Sequence, residues 1–216
     1  MALKSLDSTL KLSLRKEFLA KRAEFIARSQ SELAKFNLAI AHNCQKILPT
    51  EDSGPIATYF PKSDEADPNL IQRVLSHREF AYPVMEGSRL SFWVPRDSKA
   101  WRVAAFGIRE PDPARSKKIE LDEMSAFLVP GEVFDRRGAR VGNGKGFYDS
   151  TLGDSSIVRI GIGYSVQLSS HPLPEEKGDV RMDWIVTETA AIARSTLIAN
   201  ESDFIEGDEK MGNDES

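Results

Sequence analysis

The sequence predicts an α/β protein with a mostly parallel central sheet flanked by helices. Three observations carry that reading: short apolar runs of strand character recur along the chain, helical periodicities alternate with several of them, and Gly- or Pro-containing breakers end the runs. At 216 residues and 40% hydrophobic content, the chain is long enough for one domain with a sizeable core. The expected organisation is a single domain over residues 1–199, followed by a disordered acidic tail at 200–216.

Each element has its own signal. Leu6, Leu10, Leu14 and Phe18 recur at four-residue spacing, predicting a first helix over Leu3–Ile26, with Lys11, Arg15 and Arg22 on a neighbouring face. Ser29 followed by Glu32 is a capping-box pattern opening a second helix through Leu33, Phe36, Ile40, Cys44 and Ile47 as far as Pro49. "PIATYF" (Pro55–Phe60) reads as a buried strand, and Asp67-Pro68 as the entry to a helix, together a βα unit. "FAYPVM" and "RLSFWV" flank the turn Glu86-Gly87-Ser88 and read as two strands, paired as a hairpin or simply consecutive. The breakers around Pro111, Pro113 and Lys117 mark a loop; "MSAFLVPG", "IVRIGIGY" and "DWIVTE" supply three further strands. In such a sheet, ligands bind beyond the carboxyl ends of the strands.

Charge and cysteine content narrow the function classes. The net charge of −4 comes from the last 17 residues, which hold seven acids and one lysine, leaving the body nearly balanced at 28 cations against 26 acids. That balance argues against a nucleic-acid binder, which needs a sustained basic face. No apolar run of about 18 residues exists to span a bilayer, and the N-terminal stretch lacks the continuous apolar block of a secretory signal. Asp7, Glu17 and Glu24 argue against a mitochondrial presequence, so the expected address is cytoplasmic. A single cysteine, Cys44, excludes an internal disulfide or multi-cysteine metal site and reads as a small buried apolar residue.

The segment "RRGARVGNGKGFYDS" (Arg136–Ser150) asks for more than turn chemistry. Gly142, Gly144 and Gly146 allow close main-chain approach and positive φ, as backbone N–H groups need when they converge on a phosphate oxygen. Lys145 would add a point charge, Arg140 a fork, and a helix starting near Phe147 its positive dipole end, while Asp149 suits a hard divalent cation bridging to phosphate. The pattern is not a P-loop: Ala139 stands where the first glycine belongs, and Gly146 replaces the metal-holding Ser or Thr. On spacing alone, a phosphate site and a basic solvated loop are equally good readings, and Phe147 and Tyr148 read first as core aromatics.

"VPGEVFDRRGARVGNGKGFYDSTL" resembles the signature of the 5-formyltetrahydrofolate cyclo-ligase family. "KLSLRKEFLAKR" is similar to the family's first helix, "IATYFPKSDEADPNLI" to its first strand and substrate loop, and "LPEEKGDVRMDWIVTE" to its closing segment, in family order from roughly residue 10 to 188. The resemblance implies a NagB/RpiA/CoA-transferase-like fold and a monomer that converts 5-formyltetrahydrofolate, with or without a polyglutamate tail, to 5,10-methenyltetrahydrofolate, using ATP as co-substrate with Mg²⁺. It implies that Lys11 and Arg15 contact ATP phosphates, that Arg140 and the loop Gly142, Asn143, Gly144, Lys145, Gly146, Phe147 and Tyr148 wrap the triphosphate, and that Lys145 and Arg140 stabilise charge in transfer. Asp149 and Asp179 would bind Mg²⁺; Phe60, Glu65 and Phe147 would contact the folate, with Asp64 and Asp67 as neighbouring alternatives to Glu65. Asn143 departs from the family, many of whose members carry a longer residue there, often Arg, and some relatives have glycine at the position of Lys145. The alternative is a non-catalytic folate or nucleotide binder on the same fold. No nucleic acid or membrane partner is expected.

Overall fold

The computed structural model describes residues 2–48, 53–103, 109–153 and 155–194. The acidic tail expected over 200–216 lies outside the described residues. The chain opens with α1 (Ala2–Arg28) and α2 (Leu33–Gln45), then β1 (Ile56–Ala57), α3 (Asn69–Val74), β2 (Phe80–Glu86) and β3 (Arg89–Pro95). Next come β4 (Trp101–Val103), β5 (Arg109–Pro111), β6 (Ser116–Ile119), β7 (Ala126–Pro130), β8 (Val133–Phe134) and β9 (Arg140–Val141). The last elements are α4 (Phe147–Leu152), β10 (Arg159–Ile162), β11 (Trp184–Val186) and β12 (Ala191–Ala193).

Eight strands form the main sheet in the order β12-β11-β10-β7-β1-β2-β3-β6, beside two small hairpins, β4-β5 and β8-β9. The five central strands from β11 to β2 pair in parallel, and β12, β3 and β6 add antiparallel edges. The expected α/β class with a mostly parallel centre is what the chain adopts. Strand alternation divides the core. Ala126 and Leu128 of β7 face Ile40, Cys44, Ile71 and Leu75 of the α2–α3 layer, while Phe127 and Val129 face Phe134, Leu152 and Met182 on the other side. Burial on both faces is why these strands read as continuous apolar runs. Cys44 is fully buried, as expected, and burial pushes its thiol pKa up.

Four details differ from the sequence expectations. The second helix takes Glu32 as its N-cap with no side-chain cap, so the Ser29–Glu32 capping box does not form; the Ser29 carbonyl instead accepts from the N–H groups of Glu32 and Leu33 in a tight turn. The first strand is shorter than Pro55–Phe60: after Ala57 the Thr58 N–H still bonds the Ala81 carbonyl of β2, and the chain then turns into a loop. The segment read as a loop around Pro111, Pro113 and Lys117 takes in the last residue of β5, a 3₁₀ turn over Pro113–Arg115 and the start of the edge strand β6. Two adjacent lysines, Lys117 and Lys118, hide the strand signal of β6, yet charged residues suit an edge strand.

The fourth difference concerns α1. Leu10 is 48% exposed, whereas Lys11 and Arg22 are buried at 6% and 1%. The inward line of this helix therefore runs through its cations, alongside Phe18, which packs with Leu14 against Val133, Ala139, Val141 and Leu173. Cations turn inward because the surface they meet carries carboxylates. Asp135, 2% exposed, locks that surface together by accepting from the N–H groups of Arg137, Ala139 and Leu173 at 2.8–3.0 Å. Asp135→Ala strands these three donors and is expected to lower the unfolding free energy by about 3 kcal/mol or more. Asp135→Asn, which keeps one acceptor oxygen, should lose less; urea denaturation compares the two.

Candidate active site

β1 is the point where the sheet order reverses, with β2 on one side and β7 on the other. Beyond the carboxyl ends of these strands lies a cavity of about 800 Å³. Tyr59 and Phe60 follow β1, Pro83 and Met85 lie from the middle of β2 onward, and Pro130 and Gly131 close β7, all lining it. Apart from Asp64 and Asp67, the alternatives to Glu65, every candidate site residue named from the sequence also lines this one cavity, from Lys11 and Arg15 through Phe60, Glu65, Arg140 and the 142–149 segment to Asp179.

One end is cationic. Lys11 Nζ lies 2.5 Å from Asp179 Oδ2 and 3.4 Å from Glu176 Oε2. One turn on, Arg15 Nε donates to the Gly142 carbonyl at 2.7 Å, which fastens α1 to the glycine loop. The Arg140 side chain, 5% exposed, donates from Nη2 to Asp149 Oδ1 at 3.0 Å and sits 5.6 Å from the centre of the Tyr148 ring. Asp149 Oδ1 also accepts from Val180 N–H at 3.2 Å, so the loop acid is tied to the backbone next to Asp179. Burial raises the Tyr148 pKa, only partly opposed by the Arg140 charge, so the phenol stays protonated.

The glycines work in two ways. Gly144 and Gly146 have φ of +82° and +67°, which side-chain-bearing residues rarely adopt. Gly142 is needed for a different reason from the expected positive φ: a Cβ there would lie 2.4 Å from Arg140 Nη1. Gly146 caps α4, which at six residues is under two turns long, so its dipole adds little beside Lys11, Arg15 and Arg140. Asn143 and Lys145 are exposed at the cavity mouth.

The other end is aromatic and acidic. Phe60 stacks on Tyr82 with ring centres 4.9 Å apart and meets the Trp101 edge at 5.0 Å, while the Arg109 guanidinium lies over Trp101. Glu65 Oε2 accepts from Lys62 N–H at 2.9 Å, closing a tight loop at the cavity wall. Its neighbours are turned elsewhere: Asp67 Oδ1 accepts from Asn69 N–H at the entry to α3, and Asp64 pairs with Arg22. Glu65 is thus the acid of this loop that lines the cavity. Among the described residues no group of three or more His, Cys, Asp and Glu forms a metal cluster. Asp149 and Asp179 each keep one oxygen outside the bonds above, a set that fits a hard cation completing its shell with phosphate oxygens and water.

The model of the 5-formyltetrahydrofolate cyclo-ligase family matches residues 7–188. The chain belongs to this family. A cyclo-ligase of Haemophilus influenzae is 27% identical over 175 residues, covering 77% of this chain and 91% of that protein. One from Mycolicibacterium smegmatis is 36% identical over 92 residues, 42% of this chain, and the match spans about half of that relative, 47% of its length. Among solved structures, the 5,10-methenyltetrahydrofolate synthetase of Aquifex aeolicus matches with a TM-score of 0.74 at 30% identity, covering 92% of this chain and 100% of that one. The synthetase of Mycoplasma pneumoniae, at 24% identity and a TM-score of 0.64, shares the fold.

Several residues of this cavity were not singled out from the sequence. Glu176 is a second carboxylate for Lys11, and Tyr59 donates to the Ala66 carbonyl at 2.7 Å, which shapes the loop after β1. Arg109 reaches the cavity from the hairpin β4-β5, whose strands of three residues each are too short to show a period. The expected effect of Gly142→Ala is displacement of Arg140, destabilising the fold by about 1–3 kcal/mol. The same change in an Arg140→Gln background should cost less, because the clashing guanidinium is gone; thermal unfolding of the four variants of the cycle measures the difference.

Proposed function

We propose that this protein catalyses the ATP-driven ring closure of 5-formyltetrahydrofolate to 5,10-methenyltetrahydrofolate, releasing ADP and phosphate. The observation that carries the reading is a single cavity in which a cation- and glycine-lined cradle faces an aromatic wall that carries Glu65. Lys11, Arg15 and Arg140 would bind the triphosphate, with the backbone N–H groups of 142–146 completing the cradle. Phe60 and Phe147 would cover the pterin and Glu65 would accept hydrogen bonds from its nitrogens. Asp149 and Asp179 would hold Mg²⁺, which when bound neutralises phosphate charge. We extend the reading to a cytoplasmic monomer.

In this scheme the formyl oxygen attacks the γ-phosphorus, ADP departs, and the formyl group becomes an iminium phosphate. N10 then adds to the activated carbon and gives up its proton to water, and the carbon–oxygen bond breaks with release of phosphate. Phosphorylation turns a poor leaving oxygen into a good one, so the protein's task is alignment and charge neutralisation. Lys145, exposed at the mouth, would approach the transferring group as nucleotide enters.

The test is absorbance of methenyl product from 5-formyltetrahydrofolate with and without MgATP. Product should form only with nucleotide; product without it refutes the mechanism, and binding without product favours a passive binder. Lys145→Ala is expected to lower turnover roughly 10²-fold at saturating MgATP. Near-normal turnover removes Lys145 from the transfer step.

A further inference from the structure

Arg22 is among the largest fully buried side chains, and the proposed reaction does not use it. It sits on the inward line of α1, seven residues beyond Arg15, roughly 10 Å along the helix. Its Nη1 lies 2.8 Å from Glu132 Oε2, and both side chains are buried, at 1% and 2% exposure. Its Nη2 lies 2.5 Å from Asp64 Oδ2, on a side chain that is 38% exposed. The guanidinium therefore holds two carboxylates of different character.

Glu132 is the buried countercharge, yet it makes no aligned hydrogen bond to the guanidinium, and burial raises its pKa against the pull of Arg22. Asp64 supplies the aligned bond to Nη2, and through it ties residue 64, and with it Glu65, to the helix that carries Lys11 and Arg15. The other bonds of the loop are local or run to α2: Glu65 closes on Lys62, Ala66 is held by Tyr59 just after β1, and Asp67 N–H donates to Asn37 Oδ1 of α2. Of these, only the Asp64 bond reaches α1, so the helix acts as a rigid bar with phosphate-facing cations on one stretch and a loop anchor on the other.

We propose that Asp64, held by Arg22, is a positioning residue that sets the folate loop in register with the phosphate end of the cavity. This inference rests on the reading of the cavity as a joint folate and nucleotide site. Reaction between a formyl oxygen and a γ-phosphate needs the two atoms about 3–3.5 Å apart, so a loop free to slide relative to α1 loses the aligned geometry. Asp64→Ala removes the tether and leaves Glu132 as the buried counter-ion of Arg22, at some cost in stability.

The experiment measures KM for 5-formyltetrahydrofolate and for MgATP, kcat, melting temperature, and direct folate binding by quenching of tryptophan fluorescence. It compares the intact protein with Asp64→Ala, Asp64→Asn and Glu65→Gln, and with the double variant Asp64→Ala/Glu65→Gln. Asp64→Ala should raise the folate KM about fivefold or more and lower kcat, with the MgATP KM unchanged even where the melting temperature falls. Asp64→Asn, which keeps an acceptor oxygen, should recover most of the loss. The double variant should be little worse than Glu65→Gln alone, because the tether acts through that residue. If the intact protein turns over and Asp64→Ala matches it, or if both KM values rise together with a lower melting temperature, the positioning role is wrong and the functional reading stands. If the intact protein neither binds folate nor forms product, both fall.

Discussion

The site depends on one constraint: the first helix turns its cations inward. Lys11 at 6% exposure cannot stand alone in the interior, and the salt bridges to Asp179 and Glu176 are what make its burial tolerable. The Arg15 bond to the Gly142 carbonyl and the Arg22 pair with Glu132 repeat the pattern along the same line. Together they dock α1 against the glycine loop, the end of β7 and the 170s segment, which is how residues more than a hundred positions apart come to share a cavity. Phe18 and Leu14 supply apolar packing to the same interface.

Charge in the cavity is arranged in pairs. Lys11 with Asp179 and Arg140 with Asp149 each hold a cation against a carboxylate, and Val180 N–H links the two acids through the backbone. Under the proposed reading, an entering polyphosphate competes with these carboxylates for the same cations, and the carboxylates in turn become ligands for a divalent ion. The paired state keeps the site nearly neutral while the side chains are already oriented, which limits the reorganisation that binding requires.

Much of this was legible in the sequence, for identifiable reasons. The central strands declared themselves because burial on both faces leaves continuous apolar runs, as in "AFLV" and "IVRIGI". The glycine loop stood out because turn chemistry alone does not need three alternating glycines beside Lys and Arg. The capping box at Ser29 failed because its residues spend their backbone groups on a tight turn. Edge strand β6 was hidden by its lysines, and the three-residue strands β4, β5 and β12 are too short for any period. Arg22 was visible as a member of a cationic face, yet nothing local marks it as buried; that follows from Glu132 and Asp64, which only the tertiary fold brings to it. Asp64, Glu65 and Asp67 cannot be ranked by spacing, and the fold separates them by giving each a different partner.

Amide hydrogen exchange in the presence and absence of MgATP tests the central claim most directly. The account predicts added protection concentrated in the backbone of residues 142–148, where main-chain N–H groups are held to gather around the triphosphate. Protection that appears elsewhere, with the 142–148 amides unchanged at saturating nucleotide, would contradict it.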